Sequence, residues 1–238
     1  MRLNVYISKS GYCSRRKADS LIKNSQVTVD DTIIDKPFYE VGNNSKVCVN
    51  GSSIRIKDYV YIVFNKPKGV TTTCYDKFAD KKIVDFFPES FKGIFPVGRL
   101  DKDTSGLIIL TNDGNLCYQT THPKFQIEKE YKIILDKTLS KTDIQKATNG
   151  VRDDGELLKV KKITLFKESP FQSSYGIVIS EGKKRHLRRL FNALGYFVID
   201  LKRIRIGNLL LSNLSSGGYK FLEKEKIYHL LFANQKLK

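Results

Sequence analysis

The middle of the chain contains the sequence PVGRLDKDTSGLIILTNDG, residues 96–114. A tight polar turn, residues 99–106, carries a carboxylate at Asp101, and the apolar run 107–110 follows it. An apolar run of this length between turn signals is typical of a strand buried on both faces. The sequence therefore predicts that Asp101 lies on a loop fixed to the core, where a reactive side chain is usefully held. On spacing alone, a capping Asp in an ordinary turn is the simpler interpretation.

The composition indicates a folded protein with a polyanionic partner. The chain has 238 residues, enough for one large domain or for a large and a small one. Hydrophobic residues make up 40% of it, which excludes a disordered chain, and the formal net charge is +17. An excess of this size favours nucleic acid first and an anionic membrane surface second. The apolar runs are too short for a membrane span, which needs about 20 residues.

The cysteines and histidines do not form a metal-binding or disulfide pattern. Four cysteines and three histidines are scattered along the chain without a paired short spacing. The sequence also lacks a glycine-rich phosphate loop of the nucleotide-binding kinds and an apolar signal core at its N-terminus. We therefore expect no metal and no cofactor. We also expect a soluble cytoplasmic protein, and a monomer.

Residues 1–57 have the pattern of a small separate unit. Ser14 is a suitable cap for a helix over residues 15–23, whose apolar residues fall on one face: Ala18, Leu21 and Ile22. The first turn holds three cations, Arg15, Arg16 and Lys17. The helix dipole disfavours cations there, and an external anion such as phosphate would reverse that cost. Short strands are predicted at residues 27–29, 32–34 and 47–49.

This unit resembles the small RNA-binding module first seen in small-subunit ribosomal protein four. The matching residues are Arg2-Leu3, Gly11 to Ala18, Leu21-Ile22 and Val27 to Val29. Asp30-Asp31 stands where the family usually has Asn-Gly, which affects only the type of the hairpin turn. The resemblance implies that Arg15, Arg16 and Lys17 bind RNA, whereas a merely solvated basic helix is the alternative.

Residues 58–238 predict a larger α+β domain. Helices are expected near 116–121 and 139–148, and strands at 59–64, 107–110, 130–135, 160–166 and 175–180. Many strands with few helices between them favour a mixed, mainly antiparallel sheet.

A basic stretch near the end of the chain combines an apolar stripe with many cations. The stripe has helical spacing: Leu187, Leu190, Phe191 and Leu194. Residues 183–205 hold eight Lys or Arg against one acid, Asp200. A helix that is apolar on one side and basic on the other suits an RNA backbone.

Separated sequence blocks of residues 58–238 resemble one family, the ribosomal-RNA pseudouridine synthases of the RsuA/RluB kind. The blocks are Gly98-Arg99-Leu100-Asp101 with Thr104-Ser105-Gly106-Leu107, Glu128-Lys129-Glu130-Tyr131, Glu181-Gly182 through Arg188-Arg189, and Asn65-Lys66-Pro67 with Gly69. Two departures are modest: Lys183 stands where the family mostly has Arg, and His186 where Gln is common. Both positions keep a hydrogen-bonding side chain.

The resemblance implies a site that needs no cofactor, because the substrate and the product are isomers. It makes Asp101 the catalytic carboxylate, Arg188 its bidentate cationic partner and Tyr131 the residue that stacks on the uracil. Arg99 helps to fill the place of the base turned out of its stack. Further RNA contacts are expected from Lys183, Lys184, Arg185 and Arg189. From the residues alone, Arg188 could be a phosphate contact, Tyr131 a sheet residue and Arg99 part of a loop salt bridge.

Three functions compete at this point. The first is an isomerase that acts on a uridine of ribosomal RNA, of the 23S or 16S type or within a pre-ribosomal particle. The second is a catalytically inactive rRNA-binding assembly factor, which would be expected to have lost Asp101, Tyr131 or Arg188. The third, a glycosidase or nuclease, needs a second carboxylate or metal ligands, and the family gives Asp103 no such role. His122-Pro123 and Gly217-Gly218-Tyr219 favour a large-subunit target weakly.

Overall fold

The computed structural model describes residues 1–169 and 171–233. Residues 170 and 234–238, which the predicted second domain includes, lie outside this description. The chain divides into two compact units. The first contains Met1–Val60 together with two later segments, Val84–Phe95 and Thr111–Asp113, and the second contains the rest of the chain.

The first unit has two helices and a small antiparallel sheet among its described elements. These are α1 (Leu3–Lys9), α2 (Arg15–Lys23), β1 (Val27–Val29), β2 (Thr32–Ile33), β3 (Val47–Val49) and β4 (Ser52–Ile54), with the strand order β2-β1-β3-β4. The predicted helix is confirmed together with its cap, because the Ser14 hydroxyl accepts a hydrogen bond from the backbone N–H of Lys17 at 3.3 Å. The spacing of Leu3 and Ile7 had not identified α1.

The core of the first unit explains which residues α2 leaves on the surface. Ala18, Leu21 and Ile22 are buried against Leu3 and Ile7 of α1 and against the valines of β1 and β3. The three cations of the first turn, Arg15, Arg16 and Lys17, are consequently exposed.

The second unit is built on one large sheet. After β5 (Tyr61–Lys66) and β6 (Phe95–Pro96) come β7 (Ser105–Thr111), α3 (Gly114–Thr121), β8 (Lys129–Leu135), α4 (Lys141–Asn149), β9 (Val151–Asp153), β10 (Glu156–Leu158), β11 (Lys162–Ser169), β12 (Gln172–Ile179), α5 (His186–Ala193), β13 (Val198–Ile206), β14 (Leu209–Leu210), β15 (Tyr219–Phe221) and α6 (Lys224–Phe232). A short 3-10 helix occupies Pro123–Phe125 in this unit. Two others, Ile83–Phe86 and Glu89–Phe91, fall almost wholly in the segment Val84–Phe95 of the first unit. Across residues 1–169 and 171–233, we find no helix with the length and apolar character that a membrane crossing requires.

The large sheet has the strand order β11-β12-β8-β13-β7-β5-β15, with β14 beside β13 and β6 beside β7. The pairs β11/β12, β12/β8, β8/β13 and β15/β5 are antiparallel, whereas β13 and β7 are parallel. This arrangement confirms the predicted α+β class with a mixed, mainly antiparallel sheet. The run 107–110 is fully buried, as its position between turn signals predicted.

The central strand β13 was not predicted, because its residues were interpreted as part of a basic, RNA-facing stretch. Arg203 lies in the middle of the sheet, where it is paired in register with Gly106 of β7 and with Tyr131 of β8. Its exposed fraction is only 3%. Arg203, one of the eight cations counted in the basic stretch, therefore belongs to the interior of the sheet.

Gly106 allows β7 and β13 to approach each other closely. Its φ is +106°, and a Cβ built on it would lie 2.2 Å from the carbonyl oxygen of Arg203. A side chain would therefore both strain the backbone and overlap a main-chain atom that has little freedom to move.

We predict that Gly106→Ala destabilises the protein by about 3 to 5 kcal/mol, the combined cost of backbone strain and overpacking. Gly155→Ala is the matched control, since Gly155 also has a positive φ, +73°, but has no atom near its Cβ position. That variant should cost about 1 to 2 kcal/mol. Urea unfolding of both variants measures the difference, and equal losses would contradict the role given to the β7–β13 approach.

Candidate active site

Most of the predicted site residues line one cleft of the second unit, about 1330 Å³ in volume. Arg99, Asp101, Tyr131, Lys183, Lys184 and Arg185 all contribute to its wall. The cationic side chains there, which also include Lys68 and Lys102, outnumber the two carboxylates, Asp101 and Asp103. A cleft with this balance of charge attracts a polyanion.

Asp101 lies on a turn that is tied to the core on both sides. Its carbonyl oxygen accepts a hydrogen bond from the Thr104 backbone N–H at 3.0 Å. The buried Thr72 hydroxyl donates to the Leu100 carbonyl oxygen at 2.6 Å and accepts from the Leu100 N–H at 3.3 Å. Within the described residues the Asp101 carboxylate accepts no hydrogen bond. The structure thus presents this side chain to the cleft and does not use it as a cap.

Tyr131 is held by a buried arginine that sequence patterns did not identify. The Arg203 guanidinium donates through Nη1 to the Tyr131 hydroxyl at 3.3 Å, and its Cζ lies 5.9 Å from the centroid of the ring. Its Nε donates to the Leu107 carbonyl oxygen at 2.7 Å. Arg203 therefore joins the strand that follows the Asp101 turn to the strand that carries Tyr131, and it places a fixed positive charge beside the ring.

Lys66, at the end of β5, is a second buried cation near the carboxylates. Its Nζ donates to the carbonyl oxygens of Pro67 at 2.9 Å and Val70 at 2.8 Å, and its exposed fraction is 0%. Burial lowers its pKa to about 8, although the charges of Asp103 and Asp101 oppose this effect. Burial also lowers the pKa of Lys129 to about 8, with a smaller contribution from the charge of Arg203.

Arg188 contacts a different aspartate from the expected one. Its Nη2 donates to the Asp103 carbonyl oxygen at 3.1 Å, and its Nε lies 3.2 Å from Asp103 Oδ2. Its Nη1 donates to the Val198 carbonyl oxygen at 3.2 Å. Nowhere in the described ranges does an ion pair join Arg188 to Asp101, so the expected bidentate pair is not formed. The physical reason is that the Arg188 guanidinium is already engaged by Asp103, through both the carbonyl oxygen and the carboxylate of that residue.

The segment before α5 brings further cations to the cleft. Arg185 adopts a left-handed conformation, φ +50°, and its guanidinium lies 3.4 Å from Asp103 Oδ2. The Lys183 ammonium donates to the Leu157 carbonyl oxygen at 2.6 Å. His186 is buried with Nε2 3.0 Å from the Lys159 carbonyl oxygen, and burial is the main reason that its pKa is lowered. These contacts fix the entry of α5 against the β9–β10 region and leave Lys184 on the cleft wall.

Arg189 forms two ion pairs within the protein. Its Nε lies 2.5 Å from Asp153 Oδ2, and its Nη1 lies 2.5 Å from Glu156 Oε2. It connects α5 to the hairpin of β9 and β10, and it is not among the residues that line the cleft.

Sequence reasoning gave no role to Lys66, Thr72 and Arg203. A usable signal for Lys66 was its place in the block Asn65-Lys66-Pro67 with Gly69, one of the blocks that resemble the family. Tyr131, Ile133 and Leu135 are the buried residues of β8, and their spacing by two is a signal of one buried strand face.

The arrangement combines one unpaired carboxylate, a neighbouring tyrosine and a basic cleft. No group of three or more His, Cys, Asp or Glu side chains in the described part of the chain is arranged to hold a metal ion. A single carboxylate of this kind can attack a sugar carbon or remove a proton from a polyanionic substrate. The fold and site suit the class of enzymes that act on a polyanionic substrate.

The comparisons with known proteins assign this chain to a family. Residues 60–193 match the family RNA pseudouridylate synthase, and residues 1–47 match the S4 domain. The chain belongs to the RNA pseudouridylate synthase family and carries an S4 domain at its N-terminus.

The relatives are similar over nearly the whole chain. Ribosomal large subunit pseudouridine synthase B of Bacillus subtilis (strain 168) is 35% identical, with 96% of this chain and 95% of the relative covered. The dual-specificity RNA pseudouridine synthase RluF of Escherichia coli (strain K12) is 39% identical, with 97% and 78% covered. A crystal structure of a pseudouridylate synthase matches with a TM-score of 0.67 and 27% identity, covering 97% of this chain and 100% of that one.

Lys66 gives a pH-dependent prediction. Its pKa in the folded protein, about 8, lies below the ordinary value of 10.5, so between these values the folded state loses the proton before the unfolded state does. The free energy of unfolding should therefore rise with pH across this range. Lys129 contributes in the same direction. Urea unfolding from pH 7.5 to 9.5 should show a smaller rise for Lys66→Met than for the wild type, and identical slopes would refute the assignment.

Proposed function

We propose that this protein isomerises a uridine to pseudouridine in ribosomal RNA, and that its target lies in the large subunit. The observation that carries the proposal is the unpaired Asp101 carboxylate on a core-anchored turn, in a basic cleft beside Tyr131, in a chain of the pseudouridylate synthase family. The names of the two relatives above support an RNA target, and one of them names the large ribosomal subunit. We further infer action in the cytoplasm, on free rRNA or a pre-ribosomal particle, by a monomer.

The reaction requires one bond to be exchanged for another. The N1–C1′ glycosidic bond breaks, the uracil turns, and C5 forms the new bond to C1′. The proton of C5 is lost and a proton is gained at N1, so the atoms balance without a redox partner. Asp101 either attacks C1′, forming a bond that breaks when C5 bonds to C1′, or removes the 2′ proton and returns it to C2′ once the new bond has formed; both routes use the same carboxylate.

The other residues position the base and the carboxylate. Tyr131 stacks on the uracil that has left its helix, near the C5 proton, and Arg203 fixes its ring from behind. Arg99 extends into the place that the base has left. Arg188 acts through Asp103: it holds the loop that presents Asp101 to the substrate. The cations Lys183, Lys184 and Arg185 contact phosphates along the cleft.

The N-terminal S4 domain gives the protein a second surface for RNA. Arg15, Arg16 and Lys17 are exposed beside the free backbone N–H groups at the start of α2. Three cations and the positive end of a helix dipole together bind phosphate groups.

Replacing the carboxylate tests the chemistry. Asp101→Asn should reduce pseudouridine formation at least about a thousandfold, because an amide neither attacks C1′ nor accepts the 2′ proton. RNA affinity should be retained, since the change removes a negative charge from a basic cleft. The measurement is mapping of pseudouridines in both ribosomal RNAs with each variant supplied to cells that lack the protein. Asp154→Asn is the control, because Asp154 is exposed at a turn with φ +47° that Asn adopts readily. Wild-type modification by Asp101→Asn would refute the mechanism.

Arg15→Ala combined with Arg16→Ala tests the N-terminal surface. The double variant should bind rRNA fragments more weakly, and the slope of log affinity against log salt should become shallower by about 1.5. The rate of the chemical step at saturating RNA should not change. An unaltered salt slope would remove these residues from the interface.

A further inference from the structure

Two aromatic side chains project from a loop that adjoins the cleft. This loop has no part in the chemistry above. Phe78 is 95% exposed and Tyr75 is 75% exposed, which makes Phe78 the most exposed of the large hydrophobic residues that the structure describes. Both lie in residues 73–82, here called the aromatic loop, and Lys77 stands between them. A phenylalanine this exposed contributes almost no buried apolar area to the fold, so its ring is available for contact with another molecule.

The aromatic loop is closed at its base and attached to the Asp101 turn. Its ends meet where the Thr71 N–H donates to the Lys81 carbonyl oxygen at 2.9 Å and the Ile83 N–H donates to the Thr71 carbonyl oxygen at 2.9 Å. The Lys102 ammonium, on the turn after Asp101, lies 2.9 Å from Asp80 Oδ2. Thr71 and Thr72 line the cleft themselves. The aromatic loop is therefore attached to the cleft wall at Thr71 and, through Asp80, at Lys102.

We propose that the aromatic loop is a stacking element for unpaired bases of the substrate RNA, with Phe78 and Tyr75 as its two platforms. This inference rests on the proposed function in that it takes RNA as the substrate of the same cleft. Aromatic side chains interleaved with cations are the features that bind single-stranded nucleic acid, because every base has a face on which a ring can stack. The loop selects targets whose flanking nucleotides are unpaired.

Charge favours an RNA occupant over a protein one. A protein-binding patch is depleted of lysine in its centre. The aromatic loop holds three lysines, Lys77, Lys81 and Lys82, against two aspartates, Asp76 and Asp80, and Lys102 and Arg99 lie on the adjoining cleft wall. In the sequence, the two aromatic residues are separated by two charged residues, Asp76 and Lys77.

The test compares binding to a strand and to a duplex by the full-length protein. The probe is a fluorescent single-stranded RNA of about 12 adenosines and cytidines, and its fully paired duplex is the comparison. The labelled strand contains no uridine, so the single-strand readout is independent of isomerisation; in the duplex, the uridines that pair with its adenosines lie in the unlabelled complement. Phe78→Ala and Tyr75→Ala should each weaken binding to the single strand about tenfold and leave duplex binding unchanged. The matched control is Phe197→Ala, since Phe197 is 67% exposed and lies outside both the aromatic loop and the cleft wall.

Conservative variants separate stacking from simple apolar contact. Phe78→Tyr should keep wild-type affinity, whereas Phe78→Leu should behave as Phe78→Ala does. Each of three results overturns the proposal: full affinity of Phe78→Leu, equal affinity of the wild type for strand and duplex, or unchanged RNA binding by every variant. The last result is the one that a protein-docking surface would give. If Asp101→Asn abolishes pseudouridine while Phe78→Ala binds normally, only the stacking element is refuted. If the wild type makes no pseudouridine while the aromatic variants lose affinity, only the proposed reaction is refuted.

Discussion

The candidate site depends on how one residue of the central strand meets its two neighbours. The main chain of Arg203 lies against Gly106, and its side chain reaches the Leu107 carbonyl oxygen on one side and the Tyr131 hydroxyl on the other. The Asp101 turn leads directly into β7, and Tyr131 is part of β8. The relative position of carboxylate and ring is therefore fixed by the interior of the sheet, which is more rigid than the loops that form the cleft wall.

The two aspartates of the basic cleft, Asp101 and Asp103, have different roles. Asp103 is engaged by Arg185 and Arg188, so its charge is balanced within the protein and it fixes the beginning of α5. Asp101 is paired with neither arginine in the described structure, and the nearby buried Lys66 supplies a positive potential without a direct contact. This division lets a cleft that attracts phosphate keep one carboxylate available for chemistry.

Elements with local signals could be predicted, and those with distant determinants could not. The helix after Ser14 follows from its cap and from the spacing of Ala18, Leu21 and Ile22, and β7 follows from its apolar run. Strand β13 has two bulges, and its buried residues, Val198, Leu201, Arg203 and Ile206, are spaced by three, two and three. That spacing hides the period of a strand. The choice of Asp103 by Arg188 depends on tertiary geometry, which no sequence pattern contains. Asp101 and Tyr131 came from the family resemblance, since spacing alone favoured structural roles for both.

The surroundings of Arg203 also determine which cation can stand there. Lys66 and Lys129, the buried amines whose pKa values fall to about 8, are both lowered in part by the charge of this guanidinium. A lysine at the same place would be a third amine near Lys66 and Lys129. Repulsion between the like charges would lower its pKa, so it would lose its proton more readily. A guanidinium keeps its charge under these conditions. The exchange of Arg for Lys, usually regarded as mild, would here turn a permanent charge into a titrating one at the heart of the sheet.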